Sequence, residues 1–150
     1  MGTVSYPNAD VVSFVNDNLI PLRVLADAQP ISTDFNVNWT PTIVTLDTMG
    51  REHHRTLGFL PPEEFIPSLM LGIGKTHFDM GRFDEANSIL EELTKKCPQS
   101  RAAPEAIYYL GVSSFKIAHD ASHLKKAYER LKAEYPDNEW AFRAWPYSLL

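Results

Sequence analysis

Residues 70–98 read MLGIGKTHFDMGRFDEANSILEELTKKCP, and this stretch decides the fold of the C-terminal half of the chain. Apolar residues recur every three or four positions on both sides of Gly81, as they do in amphipathic helices. Gly81 interrupts the pattern, and Pro98 ends it because proline cannot continue a helix. The stretch therefore predicts two helices joined by a tight turn, at about Pro62–Met80 and Phe83–Lys96.

The same pattern returns further along the chain. Gly74 corresponds to Gly111 at a spacing of 37 residues, and Pro98 corresponds to Pro136 at a spacing of 38. Small residues at corresponding places allow the two helices of a pair to approach closely. Trp145 then starts a third, truncated unit. The second pair of helices is predicted at about Ala102–Ile117 and His123–Glu134.

The repeated helical pair resembles the tetratricopeptide repeat. The residues of the first unit that fall on consensus positions of that repeat are Gly74, Gly81, Phe83, Ala86 and Pro98. The second unit departs from the consensus, since Leu124 stands where a small alanine belongs. An unrelated helical bundle is the alternative interpretation.

The first 60 residues alternate more quickly between short patterns. Asn8 is a candidate cap for a short amphipathic helix, and the turn at residues 47–50 joins two strands into a hairpin. Gln29–Phe35 predicts one or two helical turns. The predicted strands are Pro21–Ala26, Thr42–Leu46 and Arg51–Phe59.

This first half resembles a thioredoxin-like domain. Trp39, Thr40 and Pro41 stand directly before a strand, where thioredoxin-like proteins carry a cis proline, and residues 12–27 (VSFVNDNLIPLRVLAD) and 58–65 (GFLPPEEF) are also similar. The whole chain is similar to bacterial thioredoxin-like proteins with a tetratricopeptide-like extension. The resemblance implies an α+β fold, with a thioredoxin-like unit at residues 1–60 and helical repeats at residues 61–150, and a cis Thr40–Pro41 bond.

The chain departs from that family at its beginning. The relatives begin with a strand and a Cys-x-x-Cys motif, and a segment similar to residues 1–7 follows; here the chain starts at that segment. The absent strand would lie between Pro21–Ala26 and Thr42–Leu46. Because unpaired strand edges are costly when buried and adhesive when exposed, we expect these two strands to pair with each other or with a second molecule in a homodimer.

Composition restricts the partners. The 150 residues carry a net charge of −5, so nucleic acid and anionic lipid are not expected partners. There is no long apolar run and no targeting segment, which predicts a cytoplasmic protein without membrane contact. The single cysteine, Cys97, excludes an internal disulfide and a Cys-x-x-Cys pair within the chain.

Few residues are candidates for chemistry. Cys97 follows two lysines but lies at the end of a helix, which disfavours a thiolate, so a structural role is predicted. His119 and His123 have a spacing that helices use for metals, with Asp120 between them, but no third ligand is evident. His53 and His54 point to opposite faces of a strand and cannot chelate one ion together. We therefore predict no catalytic residue, no metal and no cofactor.

Two functions are compatible with these patterns. The first is a non-catalytic module that binds a protein or peptide, with Trp39, Thr40 and Pro41 as its binding residues. The second is the C-terminal part of a thiol-disulfide oxidoreductase whose Cys-x-x-Cys lies upstream of residue 1. The chain as given favours the first, because it contains one cysteine only.

Overall fold

The computed structural model describes all 150 residues, Met1–Leu150. It contains a two-stranded sheet and seven α-helices, so the fold is α+β, with the sheet in the first half and helical repeats in the second. The elements in chain order are α1 (Ala9–Asn18), α2 (Ile31–Asp34), β1 (Thr42–Leu46), β2 (Glu52–Leu57), α3 (Pro62–Asp79), α4 (Phe83–Lys96), α5 (Ala103–Ala118), α6 (Ser122–Glu134), α7 (Glu139–Ala144) and a terminal 3₁₀ helix (Trp145–Leu149).

Helices α3 to α6 confirm the sequence prediction to within one residue at each end. Helix α3 begins with Pro62, whose missing N–H is one that a first turn leaves unpaired, and Glu63 and Glu64 lie at the positive end of its dipole. Gly81 adopts a φ of +74°, which turns the chain between α3 and α4. Lys95 and Lys96 lie in the last turn of α4, where the negative end of the helix dipole favours positive charge.

The two repeat glycines lie where neighbouring helices touch. A Cβ atom on Gly74 would lie 2.5 Å from Leu90 Cδ2 in α4, and a Cβ atom on Gly111 would overlap that of Ala127 in α6. The prediction that these glycines permit close packing within each helical pair is therefore confirmed.

Three apolar clusters form the core. The first joins α3, α4 and α5, and the second joins α5, α6 and α7. The third joins α1 to α3, with Ile43 of β1 packed against it, and so connects the first half of the chain to the helices. The fully or nearly fully buried residues of the three are, in order, Met70, Leu71, Ala86, Leu90, Leu93, Ala102, Ala103 and Ala106; Ile107, Ala127, Leu131, Ala141 and Ala144; Val11, Leu60, Phe65 and Leu69.

The first helix and the hairpin also agree with the sequence prediction. The Asn8 side chain accepts hydrogen bonds from the backbone N–H groups of Asp10 and Val11, and so caps α1. Strands β1 and β2 are antiparallel, with a bulge after Thr45. The hairpin turn is held by Asp47, whose Oδ1 accepts the backbone N–H groups of Met49 and Arg51.

The predicted strand at Pro21–Ala26 is wrong. Pro21–Leu25 have no regular secondary structure and Ala26 lies in a turn, so the pairing with Thr42–Leu46 within the chain is not formed. The apolar side chains that suggested a buried strand face solvent, with Ile20 99%, Leu22 80% and Leu25 74% exposed. Apolar, β-branched sequence favours a strand, but a strand also needs a neighbour to accept its hydrogen bonds, and no neighbour lies beside this one.

None of the helices combines the length and the hydrophobicity that a membrane-spanning helix requires.

Replacing Gly74 by leucine should lower the free energy of unfolding by about 1–3 kcal/mol, because the added side chain must displace Leu90. Chemical denaturation followed by circular dichroism measures the change. Lys116→Leu adds the same side chain at an exposed site of α5 and should have little effect. In the double variant Gly74→Leu, Leu90→Ala, the loss of unfolding free energy should be smaller than the sum of the two single losses, because Leu90→Ala makes space for the added leucine. Equal unfolding free energies for Gly74→Leu and the parent chain would contradict the helix pairing.

Candidate functional site

The predicted binding residues lie in the loop between α2 and β1. Trp39 is 66% exposed, and its carbonyl accepts a hydrogen bond from Thr42 Oγ1 at 2.6 Å. The Thr40–Pro41 bond is cis, as the resemblance implied. The Pro41 carbonyl accepts the Gly58 N–H at 2.8 Å, which ties the loop to the end of β2. The three residues therefore stand on the hairpin with the Trp39 ring directed toward solvent.

A shallow cavity of about 290 Å³ opens beside these residues. Its walls come from the end of the exposed segment and from the loop before β1, and they are Ala26, Val37, Asn38, Trp39 and Thr40. The Thr40 N–H and C=O form no hydrogen bond within the chain. The cavity thus combines an exposed aromatic ring with a free backbone donor and acceptor, which are the groups that hold an extended peptide.

The free backbone groups continue along β1. Gly58 bonds to Pro41, which sets the alternation of the ladder, so Ile43 and Thr45 direct their backbone groups toward β2. Thr42 and Val44 direct theirs to the other side, where the sheet has no further strand. The site therefore includes an open strand edge that starts at Thr40.

A histidine between two carboxylates was missed by sequence reasoning. His53 Nδ1 lies 2.7 Å from Asp79 Oδ2 at the end of α3, and its Nε2 lies 3.2 Å from Asp47 Oδ2 in the hairpin turn. The His53 and Asp47 side chains are buried, whereas Asp79 is exposed. The hydrogen bonds to Asp79 and Asp47 raise the pKa of His53, because both ring nitrogens donate only when the imidazole is protonated. The bond joins residues 26 positions apart, which no local pattern reveals.

The neighbouring histidine has the opposite character. Burial, with Lys75 nearby, lowers the pKa of His54 to about 4, so this ring is neutral. Its Nε2 lies 3.3 Å from the hydroxyl groups of Ser68 and Thr56. The His53 ring therefore contacts two carboxylates, whereas the His54 ring contacts two hydroxyl groups.

The remaining chemical candidates lie at or beside the ends of helices. The half-buried Cys97 lines a cavity of about 410 Å³ between the start of α3 and the end of α4, and burial raises the pKa of its thiol. Asp120 accepts both the N–H and the hydroxyl of Ser122, which lowers the pKa of Asp120 and occupies its carboxylate at the start of α6. His119 adopts a positive φ of 54° and ends α5.

Most aromatic residues of the helical half belong to its packing. Tyr108, Tyr109 and Trp140 form a half-buried cluster, with the Tyr108 hydroxyl 2.9 Å from that of Tyr147. Phe142 and Trp145 are the two that are mostly exposed, on the outer side of α7 and the terminal helix.

One comparison with known families gives a match. The family model described as tetratricopeptide repeat matches residues 68–100, which cover most of α3 and the whole of α4. No curated protein and no solved structure matched the chain. The match supports the repeat predicted for the first helical pair, while the thioredoxin-like interpretation of residues 1–60 stays a prediction.

The His53 contact should make the docking of the hairpin depend on pH. A raised pKa in the folded state means that His53 stabilises the fold below its unfolded pKa of about 6.5, and that this stabilisation is lost as the pH rises through the folded value. Asp47, whose pKa is lowered, stabilises the fold above an unfolded value of about 3.9 and loses that effect in acid. His53→Gln should therefore be more destabilising at pH 5.5 than at pH 8.5.

Titration of the histidine rings by nuclear magnetic resonance gives a direct check. The pKa of His53 should lie above its ordinary value and fall in Asp79→Asn, because that variant removes one of the two charges that favour the imidazolium. The His54 ring serves as an internal control and should keep its low pKa in both proteins. If the pKa of His53 were the same in Asp79→Asn as in the parent chain, the His53–Asp79 contact would contribute nothing to stabilising the imidazolium.

Proposed function

We propose that this chain is a non-catalytic module that binds an extended segment of another protein. In this proposal residues 1–60 are a thioredoxin-like unit that carries the binding site, and residues 61–150 are tetratricopeptide-like helices that support it. Tetratricopeptide repeats are generally protein-interaction modules, and the family match at residues 68–100 is in keeping with that role.

The observation that carries the proposal is the open edge that starts at Thr40. An extended peptide gains affinity by pairing with free N–H and C=O groups of an edge strand, and it gains specificity from side-chain pockets beside that edge. Thr40, Thr42 and Val44 offer the backbone groups, and the cavity beside Trp39 offers a place for one apolar side chain. The proposed binding residues are therefore Trp39, Thr40 and Pro41.

The alternative function is thiol-disulfide exchange by a longer protein of which this chain is the C-terminal part. That function would need a Cys-x-x-Cys upstream of residue 1, because Cys97 is the only cysteine of the chain. Burial raises the pKa of the Cys97 thiol, which keeps it protonated and poorly nucleophilic at neutral pH. The residues described here favour binding over exchange.

Peptide binding is tested by selecting short random peptides on the immobilised chain and measuring their affinities by calorimetry. Trp39→Ala should weaken the selected peptides by about tenfold or more, because it removes the aromatic wall of the cavity. Met49→Ala removes an exposed apolar side chain in the hairpin turn and should leave the affinities unchanged. Selection of no peptide, or of peptides that bind Trp39→Ala equally well, would contradict the proposed site.

The chain should not accelerate the reduction of insulin disulfides by dithiothreitol, because a single cysteine cannot cycle between a dithiol and a disulfide. Turbidity of precipitating insulin measures the rate. Acceleration that persists in Cys97→Ser would contradict the non-catalytic proposal, and acceleration lost in that variant would make Cys97 a working thiol.

A further inference from the structure

The segment Ile20–Leu25, called the free segment below, has no regular secondary structure and belongs to no sheet. From Ile20 to Val24 no backbone N–H or C=O forms a hydrogen bond within the chain. Its side chains are exposed, and those of Ile20, Leu22 and Leu25 are at least 74% exposed. Several exposed apolar side chains within one short segment are typical of an interaction site.

The same molecule also has a strand edge, on β1, with unpaired backbone groups. Strand β1 pairs with β2 on one side only, and the backbone groups of Thr42 and Val44 on its other side have no partner. The free segment lacks a strand to pair with, and β1 lacks a second neighbour. The residue after the free segment, Ala26, and the loop before β1 line one cavity, yet the two elements do not pair within the chain.

We propose that two copies of this chain exchange these elements, the free segment of each adding to the β1 edge of the other. A two-fold axis between the molecules then pairs the backbone groups of both free segments with those of both β1 edges. Closed homodimers form in this way, through the same surface on each subunit. The lengths agree, since the free segment has six residues and β1 has five. This inference makes a second copy of the chain the partner of the β1 edge. It rests on the proposed function, which requires that edge to be accessible.

The distribution of charge supports a second copy as the partner. The chain carries a net charge of −5, so association of two copies would in general be opposed by repulsion. Strand β1 (TIVTL) contains no charged residue, and the free segment (IPLRVL) contains only Arg23. The elements that meet in the exchange therefore bring no acidic groups together.

A second apolar surface on the molecule provides a competing explanation for any dimer. Phe142 and Trp145 are exposed on the outer side of α7 and the terminal helix, with Leu149 following. This surface offers side chains but no free strand edge, since its backbone lies in helices. Variants on the two surfaces separate the alternatives.

The test is sedimentation equilibrium of the full chain from low micromolar to near-millimolar concentration. The mass should rise from the 17.0 kDa of one chain toward twice that value. Leu22→Glu combined with Leu25→Glu should raise the dimer dissociation constant by at least tenfold, since it places charge on exposed residues of the free segment. Val44→Pro removes an N–H that points away from β2, and should weaken the dimer in the same way.

Two control variants carry the same kind of change elsewhere. Met49→Glu in the hairpin turn and Phe142→Glu on α7 both place a charge on an exposed apolar site, and both should leave the dimer intact. Circular dichroism establishes that each variant keeps its helices. A chain that stays at one mass throughout, or a dimer that Phe142→Glu abolishes and Leu22→Glu with Leu25→Glu does not, would overturn the exchange.

The outcome also separates this inference from the function on which it rests. If the exchange fails but the selected peptides still depend on Trp39, the binding site stands without the dimer. If the dimer forms but no peptide is selected even on the Leu22→Glu, Leu25→Glu variant, the edge serves self-association and the peptide-binding function falls.

Discussion

The structure depends on the absence of side chains at two positions of α3. Gly74 lets Leu90 of α4 approach the backbone of α3, and Gly72, two residues earlier, lets Thr45 of β1 approach it from another direction. Any larger residue at either place would separate layers that now touch, and protein interiors leave little room for such a shift. These two approaches allow one helix to serve both the hairpin and the first helical pair.

Helix α3 is consequently the element through which the two halves of the chain are connected. It contacts α1, β1 and β2 on the side of the first half, and α4 and α5 on the other. Polar bonds reinforce both sides, from Asp79 to His53 in the hairpin and from Lys75 to Glu105 at 2.8 Å in α5. The orientation of the site at Trp39 relative to the helices is therefore fixed through α3 and the hairpin that packs on it.

The sequence predicted what local pattern determines. The cap at Asn8, the ends of α4 and the turn at Gly81 follow from residues that lie within a few positions of one another, and all three agree with the structure. The placement of Trp39, Thr40 and Pro41 before β1 was accessible in the same way. The partner of His53 and the exposure of Pro21–Ala26 could not be predicted in this way, because each depends on residues distant in the sequence. His53 contacts Asp79, and Pro21–Ala26 would need a neighbouring strand that the fold does not supply.

The helical half has a one-dimensional order whose effect is on cooperativity. Among the α-helices from α3 onward, each contacts only those one or two places away in the chain, and the terminal 3₁₀ helix contacts α5, α6 and α7 alone. In such arrays an end can open without disturbing the units beyond its neighbours. Protection of backbone amides against exchange with solvent should accordingly rise in steps from Leu150 inward and reach its highest level in α3 and α4, where contacts come from both sides.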